Sequence, residues 1–545
     1  MDRADFEEYD LLIRNGTLYD GSGSPAYVGD LAVKGQKIAR IGEIRKTPAR
    51  QVVDASGLAV APGFINIMSY ASTTLIIDGR SQSDIRQGVT LEVFGEGWSE
   101  GPLTEAMKQE VLARQVDFNY PVPWNTLGEF LSYLEKRGVS TNFGSFVGAD
   151  TLRYNVMGYA TRHPTPNELE AMRRLLAKAM EEGALGLSTA LIYAPGCLMS
   201  TEEIIELAKV TARYDGIYIS HLRSEGDGFL EALDEFLRIA LKAHIRAEIY
   251  HLKVISRTNW GKMKLALDKI EQARAQGLQI TADMYTYPAG MTGLDACIPP
   301  WLQEGPLRTW TQRLKEADIR QMMREEISRP SKNWENHYLA CGDGRNIRLV
   351  SFKNEALKPL TGKTLAEIAS LRGTPEIDTM MDLLVEDGSR ISTVYFSVSE
   401  ENMREQLKRP WVCLGSDSGS ISNEGVFLKS STHPRAYGTF ARWLGKYARD
   451  EKLVPLEEAI RRITSLPANT LRIKDRGRLQ AGCYADITVF DPAKIQDHAT
   501  FDEPHQYASG VVHVWVNGVQ VLRDGEHTGA KPGQAVRGGG KRVLP

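Results

Sequence analysis

The chain has 545 residues, 42% of them hydrophobic, enough for a large core; at ~150 residues per domain it would hold three or four units, although barrels exceed that average. Lys+Arg 66 against Asp+Glu 69 leaves a formal charge of −3, which excludes the polycationic footprint of a nucleic-acid or anionic-membrane binder and points to a small-molecule partner. No apolar run approaches the ~20 residues of a membrane span, and the acidic start over 1–10 lacks a basic stretch followed by an apolar one, so a cytoplasmic protein is expected.

Short β-type runs at 9–13, 31–33, 37–41 and 52–53, with a Gly/Ser/Pro turn at 21–25, predict a small antiparallel sheet. The same pattern returns near the other end at 485–490, 511–516 and 519–522, where Asn517-Gly518 is a hairpin signal. Residues 1–61 and 467–545 are therefore expected to build one β-module, and 62–466 a second unit.

Between them the pattern changes to strand, loop, helix. Thr165-Pro166-Asn167-Glu168 is a capping box with proline at the first helical position, Leu169, Met172, Leu176 and Met180 hold one face, and Gly183 ends the helix. A strand over 184–188 follows at once. The strand ends at Ser188, His221, His251 and Asp283 stand 33, 30 and 32 residues apart, the length of one βα unit. With strands at 64–68, 90–95, 142–147 and 411–415 the set reaches eight, an α/β fold of the (β/α)8 TIM-barrel type. A ninth candidate at 391–398 leaves one segment, this or 279–283, to be reassigned, and an inserted subdomain is expected at about 295–350.

In such a barrel the chemistry gathers at the carboxyl ends of the strands, where the loops converge. The polar residues there are Glu96, His221, His251, Asp283 and Asp417. A single strand-end histidine is more often a hydrogen-bonded structural residue than a ligand, but two at βα spacing beside carboxylates suit Zn²⁺, which takes nitrogen and oxygen donors and keeps one position for water when catalytic. Asp417 would take the proton of that water. The five cysteines, Cys197, Cys297, Cys341, Cys413 and Cys483, are odd in number and without CxxC spacing, which argues against a disulfide framework or a cysteine zinc knot.

Several stretches together resemble the N-acyl-D-amino-acid deacylases (D-aminoacylases) of the amidohydrolase superfamily: Ala61-Pro62-Gly63-Phe64-Ile65, Gly183-Ala184-Leu185-Gly186-Leu187-Ser188-Thr189, His221-Leu222-Arg223-Ser224-Glu225, His251-Leu252-Lys253, Gly415-Ser416-Asp417 and His433-Pro434-Arg435-Ala436-Tyr437-Gly438. The tail Ala481-Gly482-Cys483-Tyr484-Ala485-Asp486 resembles the superfamily's β-sandwich. The resemblance implies a barrel with a sandwich from both chain ends, a zinc ion on His221 and His251, and Asp417 as general base and acid. It also implies that Lys253 and Tyr285 meet a substrate carboxylate, with Arg223 and His433 nearby.

Three departures refine this. The family's His-x-His after the first strand reads Met68-Ser69-Tyr70 here, preceded by Asn66, and thioether and hydroxyl groups substitute poorly for imidazoles. The family's ligand cysteine falls at Gly97, so the longer Glu96 is expected to supply the anion of a one-metal site of Glu96, His221 and His251. No basic residue occurs over 285–301, where carboxylate-binding relatives place an arginine, which leaves Lys253 as the expected cation. The expected activity is hydrolysis of an N-acyl amino acid, of the D series, or a related small amide. The alternatives are cyclic amide or lactam hydrolysis in the same fold, and a non-catalytic small-molecule-binding homologue.

Overall fold

The computed structural model describes residues 8–44, 47–331 and 334–540; residues 1–7, part of the expected terminal module and of the start read for targeting signals, lie outside it. Eight parallel strands form the barrel. In order they are Phe64–Asn66, Val89–Phe94, a strand interrupted at Phe146 (Asn142–Ser145 and Val147–Gly148), Gly186–Ala190, Ile217–His221, Arg246–Ile249, Ile280–Met284 and Val412–Leu414. The ring closes where the Asp417 amide donates to the Met68 carbonyl at 3.0 Å, bringing the end of the last strand over the end of the first.

The helix predicted from the capping box is Pro166–Glu181, with both reciprocal bonds of Thr165 and Glu168 in place and Met172, Leu176 and Met180 buried against the barrel. Those two bonds satisfy amide groups that the first helical turn otherwise leaves unpaired. Gly183 follows at φ 108°, turning the chain directly into the fourth strand.

Of the two segments competing for one place, Ile280–Met284 is the barrel strand, paired in parallel between Arg246–Ile249 and Val412–Leu414. Segment 391–398 is not. Its core, Ser392–Tyr395, is the middle strand of a separate antiparallel sheet, between Gly290–Gly293 and Ile347–Leu349. That sheet and the helices around it bury their own apolar cluster, running from Leu294 to Tyr395. The inserted subdomain thus continues well past the expected limit of 350, because its sheet is completed only by a strand some 40 residues later.

The chain ends meet where Ala59–Pro62 pairs antiparallel with Ile487–Phe490 in a nine-stranded sheet, packed through Leu11, Ile13, Leu31, Val33, Ile487 and Trp515. Asn517 and Gly518 both have positive φ, 50° and 78°, the backbone a two-residue hairpin needs to follow the twist of its strands. Among the described residues no helix is long and apolar enough to cross a membrane.

Candidate active site

The second barrel strand is followed at once by Gly95-Glu96-Gly97, and both glycines have positive φ, 106° and 60°. A Cβ at Gly97 would stand 2.4 Å from Asp150 Oδ2 and 2.6 Å from the Ala190 side chain, so this tight turn admits only glycine there without movement. The turn aims Glu96 across the barrel mouth. Its Oε1 lies 3.0 Å from His221 Nδ1 and 3.4 Å from His251 Nε2, while its Oε2 accepts a hydrogen bond from the Tyr70 hydroxyl.

His221 is the last residue of its strand, and His251 lies two residues beyond its own, at φ 31°. The Asp283 Oδ1 holds that unusual backbone by accepting the His251 amide at 2.8 Å. The two imidazole rings meet edge to face, 4.4 Å between centroids. Three donor atoms, one from each of Glu96, His221 and His251, therefore converge from three strands, all buried.

On the far side of both rings stands Glu225. Its Oε1 is 3.0 Å from His251 Nδ1 and 2.6 Å from Lys253 Nζ, and its Oε2 is 3.7 Å from His221 Nε2. Burial alone would raise the Glu225 carboxyl, but Lys253 and the two imidazoles reverse this and hold it well below the usual carboxylate range. Burial and Lys253 would likewise lower the His251 imidazole; Glu225 and Glu96 on either side instead lift it to about 10.

Asp417 closes the site from the last strand, with φ 50° and little exposure. Burial pushes its carboxyl up, and Arg435, His251 and Lys253 oppose that shift. Arg435 Nη1 donates to Asp417 Oδ2, and the same guanidinium lies 4.6 Å over the Tyr285 ring. The Tyr285 hydroxyl is buried with no hydrogen-bond partner, an arrangement that costs free energy unless something else occupies the space beside it.

The three first-strand departures have partners of their own. The Asn66 amide bonds Ser416 through both its nitrogen and its oxygen, Met68 is buried beneath Gly415, and Tyr70 is held by Glu96.

Two expected substrate contacts are committed elsewhere. Arg223 spends its guanidinium on Glu235 and on the Cys197 and Met199 carbonyls, clamping the loop after the fourth strand rather than reaching the mouth. The His433 ring is fully buried: its Nδ1 accepts the Arg435 amide at 3.0 Å, which leaves Nε2 to donate to the Ala289 carbonyl at 3.0 Å. Burial and Arg435 keep it neutral, with a pKa well below the ordinary histidine value. Lys253 does belong to the site, although it is buried against Glu225 instead of reaching freely toward solvent.

The sequence reading missed Glu225, Arg435, Tyr70 and Arg390. Glu225 and Arg435 sit inside the recognised motifs, two residues past Arg223 and His433, and only the strand-end geometry shows that they are the members of each motif facing the site. Arg390 carries no such signal. It comes from the inserted subdomain, bonds Asp295 through Nε at 2.8 Å, and lies 5.2 Å over the ring of Tyr193, whose ring in turn is 5.6 Å from that of His221. Its side chain is 50% exposed, so the rest of its guanidinium is open to a ligand.

The chain matches the model of the Amidohydrolase family over residues 148–522. It is similar to the D-aminoacylase of Alcaligenes xylosoxydans xylosoxydans, 33% identical over 539 residues, covering 98% of this chain and 99% of that protein. Among solved structures it resembles the N-acyl-D-glutamate deacylase of Bordetella bronchiseptica, complexed with zinc and a phosphonate mimic of the tetrahedral intermediate, with a TM-score of 0.80, 29% identity and coverage of 97% and 100% of the two chains. A D-aminoacylase structure concerned with a binuclear metal centre, activated by one metal and attenuated by the second, matches with a TM-score of 0.80, 30% identity and coverage of 97% and 99%.

Proposed function

The chain belongs to the amidohydrolase family, and we propose that it hydrolyses the amide bond of an N-acyl-D-amino acid with the help of one Zn²⁺ ion. It is a hydrolase of carbon–nitrogen bonds other than peptide bonds. The observation that carries this reading is the convergence of Glu96 Oε1 on the nitrogens of His221 and His251, at 3.0 and 3.4 Å, over the carboxyl end of the barrel.

The donor set fits a divalent cation. One carboxylate and two imidazoles make three ligands, the donor count of a catalytic zinc site that keeps one position for water. Glu96 Oε1, His221 Nδ1 and His251 Nε2 would hold the ion, and Glu225 orients the His251 ring from behind, at 3.0 Å from its Nδ1. A zinc ion there would lower the pKa of its water toward ~7 and polarise the substrate carbonyl. Nothing comparable remains at the first strand, where Asn66, Met68 and Tyr70 are occupied, which argues against an ion there.

Arg435 fixes Asp417 through Oδ2, so Oδ1 is the oxygen that accepts the proton of the attacking water and returns it to the leaving nitrogen. The unpartnered Tyr285 hydroxyl, the open face of Arg390 and the remaining N–H of Lys253 receive the substrate carboxylate. The arginine missing from 285–301 is in this reading replaced from the inserted subdomain.

Elemental analysis followed by assay on paired N-acyl-D- and N-acyl-L-amino acids tests the proposal. One equivalent of zinc, turnover confined to the D series, and a fall in kcat of about 10²–10⁴ in Asp417→Asn with metal retained are the expected results. Protein without stoichiometric metal, or with a preference for the L series, refutes it.

A further inference from the structure

The residue after the first barrel strand that faces the site is Tyr70, and its backbone is fixed before its side chain is considered. The Tyr70 amide donates to the Ser418 carbonyl at 2.9 Å, and the preceding Ser69 hydroxyl donates to the buried Glu92 at 2.9 Å. Tyr70 is also the residue at the start of the helix Ala71–Ile77, which it does not cap with its side chain. Tyr70 is therefore held at the mouth, 47% exposed as a residue, and its hydroxyl donates to Glu96 Oε2.

We propose that Tyr70 is a positioning residue that keeps Glu96 a one-oxygen ligand, by occupying the carboxylate oxygen that would otherwise take a second place on the metal. This rests on the metal-site reading above. A carboxylate can bind a cation through one oxygen or both, and a three-residue site stays four-coordinate with its water when each residue supplies one atom, whereas a second carboxylate oxygen raises the coordination number to five. Glu96 has a second oxygen on the same planar group, and nothing in the Gly95-Glu96-Gly97 turn prevents both from facing the ion.

The phenol does prevent it. A hydroxyl donating to an ionised carboxylate makes a short, charge-assisted bond, which holds Oε2 away while Oε1 remains directed at His221 Nδ1 and His251 Nε2. Tyr70 and Glu96 act in this way as a pair. The tyrosine adds no metal donor of its own, and it sets how many donors the glutamate contributes.

The test is the visible absorption of protein loaded with one equivalent of Co²⁺, together with kcat and KM, in wild type and in Tyr70→Phe. The variant is expected to keep one equivalent of cobalt and to show a weaker band, since a more highly coordinated Co²⁺ absorbs less. Its kcat should fall about 10–100-fold at nearly unchanged KM. Far-UV circular dichroism verifies its fold, and Tyr70→Leu, which also lacks the hydroxyl, must shift the spectrum in the same direction. A spectrum and kcat equal to wild type in either folded variant overturn the role of Tyr70 and leave the metal site standing. Wild-type protein that binds no Co²⁺ overturns the metal site, and the role of Tyr70 with it.

Discussion

Glu225→Gln removes the negative charge of a buried group that touches three functional side chains. The Glu225 and Lys253 side chains are only 3% and 7% exposed, and 2.6 Å separates Oε1 from Nζ. Breaking a buried pair from one side leaves the other charge uncompensated and costs about 3–5 kcal/mol, far more than the pair contributes relative to an apolar replacement. The amide oxygen of glutamine can still accept from His251 Nδ1, so the loss falls mainly on Lys253. Urea unfolding of the metal-free variant, followed by far-UV circular dichroism, should show this destabilisation. Adding Lys253→Met, which removes the stranded charge and keeps a chain of similar length, should restore most of it. Metal affinity, measured by competition with a chelator, should stay about 10–100-fold weak in both variants, because neither keeps the negative charge behind the His251 imidazole. Two results would show that Lys253 is not stranded by the substitution: a single variant within about 0.5 kcal/mol of wild type, or a double variant no more stable than the single one.

Three other substitutions probe separate features. Arg390→Ala should raise KM for N-acyl-amino acids and leave KM for the matching carboxamides unchanged; equal effects on both would remove Arg390 from carboxylate recognition. Gly97→Ala places a methyl group against Asp150 and Ala190, so a destabilisation of about 1–3 kcal/mol and reduced metal content are expected by thermal unfolding and elemental analysis. His527, whose Nδ1 accepts the Gly529 amide, is pushed by burial down to about 4. With a lower pKa folded than unfolded, its stabilising contribution is present above pH ~6.5 and is lost as the pH falls toward 4. His527→Gln should therefore show a smaller drop in melting temperature between pH 7.5 and 5 than wild type, and an equal drop would contradict the assignment.

The barrel was legible because its signals are local. A capping box, an apolar face at helical spacing and strand ends about 32 residues apart depend only on short-range backbone geometry; Thr165 caps its helix through its side chain, and Gly183 and Gly518 take the positive φ that the lack of a Cβ allows. The same spacing placed Glu96, His221, His251 and Asp417 at one end of the barrel, where the structure brings the first three within reach of one ion.

The partner of each side chain was not legible. His433 and Arg435 stand two residues apart in one motif, yet the ring points to Ala289 and the guanidinium to Asp417. Arg223 and Glu225 divide in the same way, one to Glu235 and one to His251 and Lys253. Motif spacing does not encode those directions, because they depend on which strand closes beside which and on how far each loop bends after its strand. Segment 391–398 shows the same limit at the scale of an element: its apolar residues specify a strand, while only pairing with Gly290–Gly293 and Ile347–Leu349 decides that it builds the insertion rather than the barrel. Local interactions, within a few residues of one another, thus specify the barrel strands and helices and the residue types at the mouth. The tertiary structure decided which of those groups are paired, which are left open to a ligand, and that Arg390 joins them from outside the barrel, since these outcomes rest on contacts between residues tens to hundreds of positions apart.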